Sequence, residues 1–406
     1  MPPVGLSIEY PVMAHDLGPG QCPPPSLVAK LLQLGSPPLS LAGFSQDMTT
    51  PSGALSSAPG SWEAATLYEL PTAFWAQLHC LLAATRDPLT AGIDLRTGQL
   101  SWAQQIVAGA QSAATAGLAY SLGNEPDLYR LPNYAALDRP QAGEEALAAN
   151  LYLRLAGFMR QALGGAAVIG PEVSRAASWH NVFPHVIEAL NPQTVGVHLY
   201  PLTVCRTLRT ATVHGLLSTR SGDAAARLGW VVADARAAHL SAIISEANSV
   251  SCGGRPGVSD SPAAAVWAVR FVLSALKTGF REVCFHFSGG PYDPFVVSGE
   301  TVVDRPLDSA LVALSRWLPA GASLQSVAVG GGLRATRVGE PGGRTMLLLD
   351  NEGEHDQPVV VRARSVRVEA LSAGRPGLAV AEAGAHGARV RLTVAHQSVE
   401  AVSATP

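Results

Sequence analysis

The chain has 406 residues, 47% of them apolar and 15% charged, a formal net charge of −3 and a mean hydropathy of +0.19. That composition excludes a disordered chain and a strongly basic nucleic-acid binder, and it gives no reason to expect an anionic membrane partner. Nearly all the basic charge is arginine, Lys30 and Lys277 being the two lysines.

In chain order, residues 6–10 read as a strand and 26–34 as a helix. Residues 39–44 read as a second strand, followed by a Ser/Gly/Pro-rich loop to Gly60 and a helix over 72–84. Strand 89–95 leads to helix 100–115, and strand 118–122 to helix 144–163. Strand 166–170 leads to helix 179–190, strand 194–199 to helix 222–239, strand 241–245 to helix 262–277, and strand 282–286 to helix 308–317. The stretch 97–124 carries no charge, but its Gln, Ser and Thr content excludes a membrane span. Eight strands, each followed by helical sequence, imply parallel pairing and the closure of a (β/α)8 barrel. A doubly wound sheet would want a Gly-rich phosphate loop after the first strand, and Glu9-Tyr10-Pro11 is not one.

The texture then changes. Short strand patterns at 326–329, 333–338, 345–349, 359–362, 366–371, 378–380 and 389–394 alternate with turns such as Asn351-Glu352-Gly353. They predict a small antiparallel β-sandwich. The expected class is therefore α/β: a (β/α)8 TIM barrel over residues 1–318 and a C-terminal β-sandwich domain over 319–406. Residues 1–4 are very short to add a strand to that sandwich.

Five widely spaced cysteines (Cys22, Cys80, Cys205, Cys252 and Cys284) with no CxxC predict neither a disulfide framework nor a zinc site. They read as small buried hydrophobes, with Cys252 alone on a site loop. The first ten residues show no basic segment leading into a long apolar one, so no signal peptide is expected. That makes a cytoplasmic protein the default, although a trimmed secreted chain would look the same. His180 and His185, five apart, do not make the i, i+4 pair of a helical zinc site.

Barrel sites lie where strands end at their C-terminal side. The polar residues there are Glu9, Asn124-Glu125-Pro126, His198 and Tyr200, Glu246 and Asn248, and His286, with Tyr292 shortly after. Glu125 and Glu246 face one another across the mouth, and apolar runs lead into both. One carboxylic acid beside one carboxylate is the requirement of glycoside hydrolysis, and a separation of about 5–5.5 Å selects retention through a covalent intermediate. Asn124 can hydrogen-bond a sugar hydroxyl, and Pro126 stiffens the turn that aims Glu125. The structural alternatives are a rim salt bridge for the glutamates, edge-of-core packing for the tyrosines, and a turn glycine for Gly253.

Two strings carry a family resemblance. Ser121-Leu122-Gly123-Asn124-Glu125-Pro126-Asp127-Leu128-Tyr129, and Glu246-Ala247-Asn248-Ser249-Val250-Ser251-Cys252-Gly253-Gly254 running on to Gly257-Val258-Ser259-Asp260-Ser261, resemble glycoside hydrolase family 79. That family of β-glucuronidases and heparanases belongs to a clan of retaining (β/α)8 glycosidases. The tail pattern Ala395-His396-Gln397-Ser398-Val399 is similar to the family's β-sandwich, so the resemblance covers nearly the whole chain. It implies Glu125 as general acid/base and Glu246 as nucleophile. It implies Asn124 and Glu9 on sugar hydroxyls, and Tyr200, Tyr292 and the Gly253 N–H on a glucuronate carboxylate. His198, grouped with the substrate contacts, and His286 read as residues that orient the glutamates. One departure stands out. The family's strand 2 ends in an Arg-x-Gly-Gly-Asn-Ser pattern, whereas this chain has Ser40-Leu41-Ala42-Gly43-Phe44-Ser45, so the sugar preference is open at Phe44.

The expected activity is a retaining exo-β-glucuronidase acting by double displacement on a carbohydrate substrate, with no cofactor and no metal. No nucleic-acid or membrane partner is expected, and a monomer is. The alternatives are a heparanase-like endo-enzyme on sulfated glycans, which Arg206, Arg209 and Arg220 would serve, and a clan relative with another sugar preference. A non-catalytic sugar binder is disfavoured because both glutamates are present.

Overall fold

Eight parallel strands close into a barrel: β1 (Val4–Ile8), β2 (Leu39–Leu41), β3 (Leu89–Ile93), β4 (Leu118–Leu122), β5 (Val168–Ile169), β6 (Thr194–Leu199), β7 (Ser241–Ala247) and β8 (Val283–Phe287). Each pairs with its neighbours in sequence, and β8 returns to β1 with Gly5 opposite Cys284 and Ser7 opposite His286. This computed structural model describes residues 2–54, 67–129, 144–205, 211–330, 332–384 and 389–404. The strands are short and apolar because both faces are covered, one by the barrel interior and one by helices.

The covering helices are α1 (Tyr10–Leu17), α2 (Pro25–Gln33), α3 (Phe74–Thr85), α4 (Leu100–Ala113), α5 (Glu145–Met159), α6 (Phe183–Leu190), α7 (Gly229–Ala237), α8 (Pro262–Thr278) and α9 (Pro306–Trp317). Helix α8 shows the local logic. Pro262 opens it, where a missing N–H costs nothing, and Gly279 closes it in the left-handed region at φ 110°. It is buried almost all round, because the barrel lies on one side and the C-terminal sheet on the other. No helix among the described residues is long and apolar enough to cross a membrane.

The tail forms a sandwich of antiparallel strands: β9 (Ser323–Val327), β10 (Leu333–Gly339), β11 (Thr345–Asn351), β12 (Gln357–Val361), β13 (Ser365–Ser372), β14 (Arg375–Gly384), β15 (Val390–Val394) and β16 (Ser398–Ala404). A six-stranded sheet runs β9-β10-β11-β16-β13-β14, and β12 pairs with β15. The main core continues from the barrel into this sheet through Val338, Leu348, Leu371 and Val399, while a second cluster fills the sandwich itself. Arg270 of α8 fastens the two layers. Its Nε donates to Asp350 Oδ1 at 2.8 Å and its guanidinium to the Asn351 carbonyl at 3.1 Å.

The structure departs from the expectations in four places. Tyr10 is not the end of a strand but the first residue of α1, with Pro11 in the helix's opening turn. Strand β2 stops at Leu41, and Phe44–Met48 coil into a tight 3-10 turn around the Glu9 carboxylate. The strand Ser398–Ala404 fills the middle of the sheet; its first five positions are buried, which hides the alternation that marks a strand. Val4 serves the barrel, in keeping with an N-terminal segment too short to extend the sandwich.

The fourth departure is covalent. Cys22 bonds to Cys80 and Cys205 to Cys252, leaving Cys284 free and buried. The sequence separations of 58 and 47 residues conceal both pairs, because the parallel barrel sets successive loops side by side. Cys205 therefore joins Cys252 at the site, where the sequence had singled out Cys252 alone.

Candidate active site

Glu125 leaves β4 through a left-handed turn. Gly123 has φ 74°, and a Cβ there would meet the Tyr129 hydroxyl at 2.4 Å and Leu95 Cδ1 at 2.8 Å, so only glycine fits. Glu125 itself sits at φ 48°, ψ 56°, a conformation non-glycine residues seldom adopt, before the 3-10 turn Pro126–Leu128. Glu246 reaches the same space from β7. The pairing of β7 with β6 shifts register between Ile244 and Glu246, and such an irregularity re-aims the side chain beyond it.

Between the two glutamates stands His198 of β6. Its Nδ1 lies 3.1 Å from Glu125 Oε1 and 3.7 Å from Glu246 Oε1. One polar atom from each of Glu125, His198 and Glu246 falls within 4.8 Å of the others. Two carboxylates so close match the spacing of about 5–5.5 Å found in retaining glycosidases, not the wider one of inverting enzymes. On the far side, His286 of β8 places Nδ1 3.5 Å from Glu246 Oε2 and Nε2 3.3 Å from Glu9 Oε1.

The environment drives the two glutamates apart. Burial raises the pKa of Glu125 above the usual glutamate value, against the hydrogen bond and charge of His198, and the Glu246 charge adds to the rise. Burial pushes Glu246 upward too, but His198, His286 and the Tyr200 hydroxyl outweigh it and hold the group below its usual value. Burial works against charge on the histidines, yet the neighbouring Glu246 and Glu125 raise His198 to about 10, and Glu246 and Glu9 raise His286 to about 9. Both imidazoles are therefore cations across the neutral range. Two carboxylates and an imidazole could ligate a metal in principle. The same contacts place the imidazole between the two carboxyl groups, within reach of both.

The structure brings the other expected residues to the same mouth in different roles. Tyr200 donates its hydroxyl to Glu246 Oε1 at 2.7 Å, so that proton is directed at the carboxylate. Tyr292 is buried beside it, with ring centroids 6.5 Å apart, and its hydroxyl hydrogen-bonds Ser288. Glu9 accepts the backbone N–H of Phe44 at 2.9 Å on Oε1 and that of Ser45 at 2.7 Å on Oε2. Those bonds fix the turn after β2, and Gly43 makes them possible, since a Cβ there would lie 2.7 Å from Glu9 Oε1. Phe44 is 56% exposed on that turn. Asn124 is buried, with its N–H on Asp47. Gly253 has φ 85° with open space where a Cβ would be. Arg220 is exposed on a helical turn after β6, while Arg206 and Arg209 lie outside the described residues.

Glu172 and the Cys205–Cys252 bond were not singled out in the sequence, whereas Asn248 was, without the role it takes here. Glu172 follows Gly170-Pro171 at the end of β5 and turns its buried carboxylate inward to accept from Ser121 Oγ. Asn248 donates to the carbonyls of His286 at 2.9 Å and Tyr292 at 3.3 Å, tying the loop after β7 to the loop after β8. The Cys205–Cys252 bond ties the loop after β6 to the loop after β7. A carboxylate at the end of the fifth strand was findable from position alone; the disulfide needed the fold.

Comparison with known proteins places the architecture. No family model matches the chain, and no curated protein matches it. Solved structures do match. A 4-O-α-L-rhamnosyl-β-D-glucuronidase from Fusarium oxysporum, in its Rha-GlcA complex, aligns over 99% of this chain and 96% of its own with a TM-score of 0.73 at 17% identity. A family 51 arabinofuranosidase from Xanthomonas axonopodis pv. citri aligns over 100% and 96% with a TM-score of 0.68 at 13% identity. The catalytic domain of family 30 xylanase C from Talaromyces cellulolyticus aligns over 99% and 96%, with a TM-score of 0.57 at 10% identity. The chain thus has the fold of these barrel-and-sandwich glycoside hydrolases across its whole length.

Proposed function

We propose that the protein is a retaining glycoside hydrolase, and specifically an exo-acting β-glucuronidase, with residues 1–318 as the catalytic unit. The carrying observation is the pair Glu125 and Glu246, within 4.8 Å of each other at their nearest polar atoms and with pKa values pushed in opposite directions, Glu125 up by burial and Glu246 down by His198, His286 and Tyr200. Two carboxyl groups whose surroundings push their pKa values apart divide naturally into acid and nucleophile. The glucuronide preference is supported by the resemblance to family 79.

In the first step Glu246 attacks the anomeric carbon as Glu125 gives its proton to the departing oxygen, breaking the glycosidic bond. Tyr200 and His198 flank Glu246 Oε1, and His286 faces Oε2. In the second step Glu125, now a carboxylate, takes a proton from water, whose oxygen attacks the anomeric carbon and releases Glu246. His198 and His286 offset the negative charge of the mouth throughout. The two disulfides support a working place in an oxidising compartment, outside the cytoplasm.

The test is hydrolysis of 4-nitrophenyl β-D-glucuronide by purified wild type beside Glu246→Gln. Turnover that vanishes in the variant is expected, with the glucuronide preferred over the matching β-glucoside and β-xyloside. Full activity in Glu246→Gln would reject the nucleophile, and turnover of the neutral glycosides alone would reject the sugar.

A further inference from the structure

We propose that Asp47 is the positioning residue of the general acid/base, holding the left-handed turn that aims Glu125 by gripping the peptide N–H immediately before it. The inference rests on the reading of Glu125 as acid/base.

Asp47 belongs to the 3-10 turn Phe44–Met48 after β2, and its side chain reaches along the rim to the ends of the next two strands, β3 and β4. Its Oδ1 accepts the Leu95 N–H, just past β3, at 3.0 Å. Its Oδ2 accepts the Asn124 N–H at 3.1 Å and the Tyr129 hydroxyl at 2.5 Å. Asn124 and Tyr129 bracket Glu125, so this carboxylate clamps the segment on both sides of the acid. The residue is 0% exposed and acts on a substrate only through the turn it holds.

The turn needs holding. Gly123 and Glu125 both take positive φ, at 74° and 48°, and a side-chain-bearing residue relaxes out of that region unless its surroundings fix it. Downstream, Asp127 fastens the same segment to the end of β5. It accepts the Ser174 N–H at 2.9 Å on Oδ1 and the Arg175 N–H at 2.7 Å on Oδ2. Glu125 is thus held between two buried aspartates, one tying its turn back to the loop after β2 and the other tying it forward to the end of β5.

The chemistry asks for a carboxylate at position 47. The Leu95 and Asn124 N–H groups and the Tyr129 hydroxyl all donate, and a carboxylate offers acceptors on both oxygens; an amide would turn an N–H toward one of them. Such charge-assisted bonds are short and strong. Burial pushes the Asp47 pKa up, and the hydrogen bonds from Tyr129, Leu95 and Asn124 oppose the rise.

The experiment measures kcat/KM for aryl β-D-glucuronides from 4-nitrophenyl to phenyl, in wild type, Asp47→Asn, Glu125→Gln and the double variant. A misaimed acid hurts the substrates that need protonation most. Asp47→Asn is expected to lose up to about 100-fold on the phenyl glycoside, the scale of a 1 Å misplacement, with little change on the nitrophenyl one. In the Glu125→Gln background the same change should cost nothing further. An equal loss across the series, or a full additional loss in the double variant, overturns the proposal. If Glu125→Gln itself shows no dependence on the leaving group, the acid/base reading falls and the inference with it. Should Asp47→Asn not fold, Tyr129→Phe removes one donor from Oδ2 and keeps the ring. A steeper leaving-group dependence is then expected, and a uniform loss overturns the idea.

Discussion

The two oxygens of Glu246 meet different surroundings: Oε1 receives the Tyr200 proton, and Oε2 faces His286 at 3.5 Å. With His198 and His286 both protonated, the carboxylate stays ionised below the usual glutamate range, while Glu125 holds its proton above it. Activity needs Glu246 charged and Glu125 neutral. The kcat/KM profile against pH should therefore be bell-shaped, its acid limb displaced down and its alkaline limb displaced up from the ordinary glutamate value. Glu125→Gln should erase the alkaline limb and cost about 10²–10⁴-fold on substrates with poor leaving groups. An unshifted alkaline limb in that variant would reassign it. Both glutamates were legible because apolar strands run straight into them. Asp47 was not: its partners Leu95 and Asn124 lie 48 and 77 residues away, and nothing local announces a carboxylate that ties neighbouring strand ends together.

At the scale of elements, the loops are tuned by links that join neighbouring strand ends. Cys205–Cys252 holds the loop bearing Tyr200 to the loop bearing Gly253, whereas Cys22–Cys80 joins the segment before α2 to α3, away from the glutamates. The bonds close stretches of 47 and 58 residues, so losing either should cost about 2–4 kcal/mol of stability. They should differ in function. Cys252→Ser is expected to lower both Tm and kcat/KM on 4-nitrophenyl β-D-glucuronide, and Cys22→Ser to lower Tm alone. Calorimetry beside the rate assay checks this, and equal activity in the two variants would remove the functional role from the rim disulfide. The helix α1 shows the converse case, a local signal that could be read. Pro11 after Tyr10 suits the first turn of a helix and not the end of a strand.

Across the whole molecule, the sandwich is anchored on the helical back of the barrel. Arg270 carries that contact from inside α8, bonded to Asp350, the Asn351 and Leu217 carbonyls and Gln397. Trp317 at the end of α9 donates to Glu369 Oε2 at 3.0 Å. Replacing Arg270 with Ala would leave Asp350 buried without its partner, which should cost about 3–5 kcal/mol. Urea unfolding should show either the lower midpoint or a separate early transition of the sandwich. An unchanged curve would mean the layers are held by apolar contact alone.

By itself the sequence determined what repeats and what is local. Eight apolar runs with helical sequence between them specify a barrel, the short strands of the tail specify a sandwich, and strand-end glutamates mark the mouth, because periodicity and strand ends are written in neighbouring residues. Tertiary structure alone decided the two disulfides, the Asp47 and Asp127 clamps around Glu125, and the burial of the Ser398–Ala404 strand. Each of these joins residues distant in the chain. Their contact energies exist only once the barrel has closed and brought its loops together.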